Sequence, residues 1–181
     1  MLHFQQYLGN WYQYEGLPAF FAPSGTSCIR ATYGDRGDGT VSVRNVDVSP
    51  SGKYEQICGY AEIPDPSHPG ELKVCLPHIL FTFCLVLIFC FSQKVYFPFA
   101  PAGDYWILGT DYENYASVYY CQSLLVFKIE FAWVLVRDPN PSEEILEKAR
   151  NEFRKNGIET KFEVVSQTDC IYDRPDEPSC N

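Results

Sequence analysis

Phe131-Ala132-Trp133-Val134-Leu135-Val136-Arg137-Asp138-Pro139-Asn140 is the stretch on which the fold turns. Residues 127–136 form a run rich in apolar and aromatic side chains, ended by turn-forming residues, which is the composition of a strand. Side chains alternate across a strand, so Phe131, Trp133, Leu135 and Arg137 share one face. Three large apolar groups on that face ask for an interior to fill.

Upstream, short strand-like runs recur at residues 28–33, 40–48, 53–62, 95–99, 105–110 and 115–121. They are broken by Asp35-Arg36-Gly37-Asp38-Gly39, by Ser49-Pro50-Ser51-Gly52 and by the loop at 64–70. Tyr7 to Trp11 reads as the start of a first strand. In residues 40–48 neither face is cleanly apolar, as in curved barrel strands whose dry face changes along their length. Downstream lies the one helical pattern: Asn140 caps, Pro141 takes the first position, and Glu143 completes a capping box. Ile145, Leu146, Ala149 and Phe153 then make one stripe, and Gly157 ends it ahead of an extended segment at 159–165. The order predicts an all-β fold, an eight-stranded up-and-down antiparallel β-barrel with one C-terminal α-helix packed on its outside.

The chain has 181 residues, enough for one domain with a continuous core, expected over 1–172 with a flexible tail at 173–181. Its formal charge of −9, without a basic run, excludes nucleic acid and anionic lipid surfaces as partners. None of the eight cysteines falls in a CxxC pair or at zinc-site spacing, so no metal or other cofactor is expected. Disulfides in an oxidising, extracellular setting account for them better. The opening Met1-Leu2-His3-Phe4 has no leader pattern, and the reading for a secreted chain is an incomplete N-terminus.

Residues 74–93 break every surrounding pattern. Their apolar core at 79–91 is about 13 residues, whereas a bilayer span needs about 20, so no stable membrane span is expected. A buried strand or helix remains open. The third reading is a translated intron. Val74 can be encoded by a codon beginning GT, and Phe91-Ser92-Gln93 by a pyrimidine tract ending CAG. Excision would join Glu71-Leu72-Lys73 to Lys94-Val95-Tyr96 as one continuous strand.

Three motifs stand in order: Gly9-Asn10-Trp11 at the first strand, Thr110-Asp111-Tyr112 at a turn between later strands, and Arg137 at the end of the last long one. Together they resemble the signature regions of the lipocalin family. The stretches Tyr105-Trp106-Ile107-Leu108-Gly109-Thr110-Asp111-Tyr112-Glu113-Asn114-Tyr115-Ala116 and 131–140 are similar to its apolipoprotein D branch. The resemblance implies that Trp11 plugs the closed end of a barrel with Arg137 across its ring, a contact of about 0.5–2 kcal/mol. It also implies a disulfide between Cys28 and Cys170, and a second bridge from Cys121 to a residue upstream of the first strand, which this chain lacks. Cys58, Cys75, Cys84, Cys90 and Cys180 have no counterpart in it.

The function this implies is a secreted carrier that buries a small hydrophobic ligand, such as a fatty acid, a sterol or a bilin-type pigment like biliverdin; no lipoprotein or receptor partner can be named. Trp133, Phe131 and Leu135 are the expected apolar contacts. Asn45, and Tyr54, Gln56 and Tyr60 if their shared face is interior, are the expected polar handles. The alternative is a lipid-modifying enzyme, an isomerase or peroxide reductant, working through Cys58 as an interior cysteine. A single cysteine without a neighbouring base is usually passive, and His3, His68 and His78 compose no catalytic set, so no catalytic residue is expected. Arg36-Gly37-Asp38 spells an adhesion tripeptide, but Asp38-Gly39 is hairpin-turn chemistry and is read as that.

Overall fold

A computed structural model describes residues 4–19, 21–62, 71–75, 95–97, 100–124, 127–175 and 180. After a short helix, α1 (Phe4–Tyr7), come the strands β1 (Gly9–Gly16), β2 (Ser27–Asp35), β3 (Val41–Val48), β4 (Tyr54–Glu62), β5 (Glu71–Cys75), β6 (Val95–Phe97), β7 (Ala100–Thr110), β8 (Tyr115–Leu124) and β9 (Phe127–Val136). Helix α2 (Glu143–Lys155) and β10 (Glu163–Val164) complete the order. Neighbours pair antiparallel in the order β1-β2-β3-β4-β5-β7-β8-β9, and β1 pairs again with β9, which closes the sheet on itself. This is the expected eight-stranded up-and-down barrel with its helix outside.

Interior and exterior follow from the rungs. Trp11, Ala31, Tyr33, Val41, Val43, Ala61, Val118, Tyr120, Phe131, Trp133 and Leu135 pack together inside. Tyr119, Ala132, Val134 and Val136 face outward and meet Leu146, Ala149 and Phe153 of α2. Burial of each large side chain on that stripe is worth about 2 kcal/mol. Gly109 lets the helix this close, since a Cβ there would lie 2.6 Å from Glu152 Cγ. Arg150 ties α2 to β1 through the buried Glu15.

Three boundaries differ from the sequence reading. Tyr7 ends α1 and is not in a strand, because the Trp11 indole N–H donates to its carbonyl at 2.7 Å and Gly9 turns the chain at φ +95°. The helix is capped by Ser142, whose side chain accepts from Ile145 N, while the Asn140 amide is already committed to Asp138 Oδ1. Two described points of the segment from 173 are held. Asp173 is gripped by Arg30 and Arg44, and Cys180 is bonded to Cys58.

Both β5 and β6 lie along β7. Glu71 and Leu72 oppose Trp106 and Tyr105, a register that carried onward would set Val74 opposite Gly103; the residue paired with Gly103 is Val95. Val74 and Cys75 stay on β4, opposite Ala61 and Tyr60. Residues 76–94, which hold nearly all of the anomalous apolar segment, lie outside the described residues.

Candidate ligand-binding interior

The closed end is built around Arg137. Its Cζ lies 3.8 Å from the centroid of the Trp11 ring. Its Nε, Nη1 and Nη2 donate to the carbonyls of Tyr112, Asn10 and Gln6 at 3.0, 2.8 and 2.9 Å. Gly9 has to be glycine here, since its φ is positive and a Cβ would meet Arg137 Nη1 at 3.3 Å. Thr110, Asp111 and Tyr112 shape the turn that offers one of those carbonyls. Thr110 Oγ1 donates to Tyr115 O and accepts from Tyr112 N, and Asp111 accepts from the amides of Asn114 and Tyr115. The backbone and Asn114 hydrogen bonds hold the Asp111 carboxyl below its ordinary range against the opposing pull of burial.

Above this floor the wall is aromatic. Phe131 stacks with Trp133 at 5.8 Å and tilts against Tyr120 at 5.3 Å, and Tyr105 lies 5.8 Å from Trp133. Trp133, Tyr105, Ile107, Ile129 and Ala31 point inward yet remain only partly buried, whereas the outward Val134 and Val136 on the same strand are fully buried. Inward side chains with residual exposure describe a wall that something small can touch from inside. At the other end, Ala19 is buried with the interior cluster and Phe21 sets its ring edge-on to Phe131 at 5.1 Å.

Asn45 lies on the inner face of β3, between Ala31 of β2 and Ile57 of β4. Tyr54, Gln56 and Tyr60 do not join it. Their rungs pair with Val48, Val46 and Ser42, so they face out, along with Cys58, while Ile57, Gly59 and Ala61 face in. That outer face looked like an interior one because the C-terminal segment covers it. Tyr54 Oη donates to Tyr172 O, Arg44 bonds Gln56, Asp173 and Tyr172 O, and the Arg174 guanidinium lies 4.4 Å over Tyr54. Cys58 is neither inward-facing nor a thiol, being bonded to Cys180. The enzymatic alternative therefore loses the cysteine it required. Cys28 is bonded to Cys170, and Cys121 is free and partly buried on the outer side. His3, His68 and His78 lie outside the described residues.

Sequence reasoning missed the inward tyrosines Tyr7, Tyr33 and Tyr105. Burial pushes all three hydroxyls above the ordinary phenol range, so they stay neutral. Alternation from Asn45 through Val43 to its rung partner Tyr33 would have found one of them. Nothing local marks Phe21, which reaches the interior from a loop.

A family model described as a lipocalin-like domain matches residues 2–167. The chain belongs to the lipocalin family. This lipocalin is 33% identical to apolipoprotein D of Mus musculus over 168 residues, 92% of this chain and 77% of that protein. Among solved structures it resembles lobster apocrustacyanin A1, with a TM-score of 0.66 and 20% identity, covering 91% of this chain and 79% of the other. It also resembles insecticyanin from the tobacco hornworm Manduca sexta, with a TM-score of 0.63 and 23% identity, covering 86% and 74%. At such identities the two structural likenesses speak to the fold.

Proposed function

We propose that this lipocalin is a secreted carrier that holds a small hydrophobic ligand inside its barrel by burial, without catalysis. The observation that carries the reading is the inward, partly exposed Trp133, framed by Phe131, Leu135 and Tyr105. An apolar molecule lying against that wall trades water for ring and aliphatic surface at about 25 cal/mol per Å² removed. Asn45 supplies a polar handle, beside the tyrosine hydroxyls, in a largely apolar lining. Trp11 and Arg137 hold the closed end and touch no ligand. The family resemblance sets the ligands to try as fatty acids, sterols and bilins. Two disulfides suit an oxidising compartment, and no described helix is long and apolar enough to cross a membrane.

Titration of the full chain with a neutral fluorescent apolar probe, followed by transfer from tryptophan, is expected to saturate at one site. Trp133→Ala weakens it about tenfold, the loss of one large buried contact. Unsaturable binding, or an unaffected Trp133→Ala variant, removes the basis of the carrier reading.

In the same reading residues 1–172 are one lipocalin domain, and 74–93 are foreign to it, a translated intron. Support comes from β7, along which β6 lies where β5 leaves off, with Val95 opposite Gly103, one rung from where joining Lys73 to Lys94 would carry it. Deleting 74–93 is expected to raise soluble yield and keep probe binding, because it removes an aggregation-prone apolar run. A spliced message that still encodes the segment counts against this.

A further inference from the structure

The hydrogen-bonding groups described in the interior are neutral: tyrosine hydroxyls and one side-chain amide. Tyr33 and Tyr105 hydroxyls approach each other at 3.4 Å. Tyr7, fully buried beside them, interacts with the Tyr105 hydroxyl, whereas Asn45 Oδ1 is buried and has no hydrogen-bond partner among the described residues. A buried polar atom without a partner is costly, so Asn45 Oδ1 marks a place where a bound molecule can complete the bonding. The carbonyl oxygen of Asn45 can only accept. A hydroxyl or N–H satisfies it, whereas an ionised carboxylate, itself only an acceptor, leaves it unpaired and has to take its hydrogen bonds from the tyrosine hydroxyls.

The rim repeats this preference by charge. Asp47 follows Asn45 on the same inner face of β3, and Glu55 stands directly across from it on β4. Burial first, and Glu55 second, push the Asp47 carboxyl up to about 6, with Lys53 pulling the other way. Lys53 is already paired with Glu55 and largely exposed. No lysine or arginine occupies an inward rung among the residues whose side chains are described. Among the described residues, an entering carboxylate would pass two acids, with Lys53 committed to one of them and Arg137 held over Trp11 at the closed end.

We infer, building on the carrier reading, that the barrel selects uncharged amphiphiles carrying a hydroxyl or N–H donor, which Asn45 receives, and rejects the same chain ending in a carboxylate. Sterol-like and other lipid alcohols fit, as do molecules with pyrrole or lactam N–H groups. Fatty-acid anions do not.

The test uses N-phenyl-1-naphthylamine as the bound probe on the full oxidised chain at pH 8, displaced by dodecan-1-ol or by dodecanoate. The alcohol is expected to displace the probe at about tenfold lower concentration. Asn45→Leu should shrink that advantage by weakening the alcohol. Asp47→Asn should shrink it from the other side, by strengthening dodecanoate about fivefold. Equal displacement by the two ligands, or tighter binding of dodecanoate, overturns the inference, as does a gap that neither variant narrows. A chain that fails to take up the probe at all overturns the carrier reading first and this one with it.

Discussion

The closed end of the barrel and the outer face of β2 to β4 are both held by arginines that grip several groups at once, but the groups differ in kind. Arg137 bonds three main-chain carbonyls and covers the Trp11 ring. Its acceptors are neutral and cannot titrate. Arg30 and Arg44 converge on one side-chain carboxylate, Asp173, which is brought there by a terminal segment fastened through the disulfides Cys28–Cys170 and Cys58–Cys180. One clamp rests on backbone shape. The other rests on a charge that acid can remove and a covalent tether.

Arg137→Ala should be the most damaging change at either place. It removes three hydrogen bonds, two of them to carbonyls of exposed residues that water can reach, and uncovers the indole, a loss of about 2–3 kcal/mol in urea unfolding. Arg137→Lys should recover less than half of this, because an ammonium cannot keep the planar fork and the stacking together. The deficit should be the same at pH 8 and pH 4. If it shrinks in acid, the contrast between the two clamps is broken.

That contrast also explains what could be read from the chain. The closed end is marked by residues with no substitute: Gly9 because of its φ of +95° and the guanidinium 3.3 Å from any Cβ, Arg137 because of its fork, and Thr110 and Asp111 because they cap one turn. Such constraints leave short motifs. The strand order and the outer helix followed from periodicity, whereas the inward row Phe131, Trp133 and Leu135 needed the lipocalin resemblance of Arg137 as well, because Ala132, Val134 and Val136 on the other face are apolar too. On β4 periodicity misled, since a strand partly covered on both faces shows no clean alternation. Its outer face is covered by Tyr172 to Arg174, residues from a stretch with no period of its own. The paired cysteines Cys58 and Cys180 were visible, but their partnership depends on where that stretch runs.

Asp173→Ala tests the second clamp. Arg30 is nearly inaccessible, so losing its partner leaves a buried guanidinium poorly compensated, while the exposure of Asp173 itself screens the pair. We expect about 1–2 kcal/mol at pH 7. Hydrogen bonds from Arg30 and then Arg44 hold the Asp173 carboxyl well below its usual range. A depressed carboxyl contributes stability above the ordinary carboxylate pKa near 4 and loses it as pH falls toward the folded value. The difference between wild type and Asp173→Ala should therefore narrow below pH 4, while that of Arg137→Ala holds. Parallel curves for the two variants would show that the strap is not electrostatic in origin.

The smallest effect should carry the opposite sign, at the mouth. Asp47 is half-buried beside Glu55, and its carboxyl is raised to about 6 by burial and that neighbour. A raised carboxyl is most compatible with the fold below its unfolded pKa, where it is neutral in both states, and becomes a liability as pH rises through about 6. Asp47→Asn removes the charge and keeps the shape. It should stabilise by about 1 kcal/mol at pH 8, after discount for solvent screening, which is a Tm gain of about 2–4 °C in a chain of this length. At pH 4 the gain should vanish. A variant that gains equally at both pH values would separate the strain at the rim from its charge, and leave selection against carboxylates to Asn45 alone.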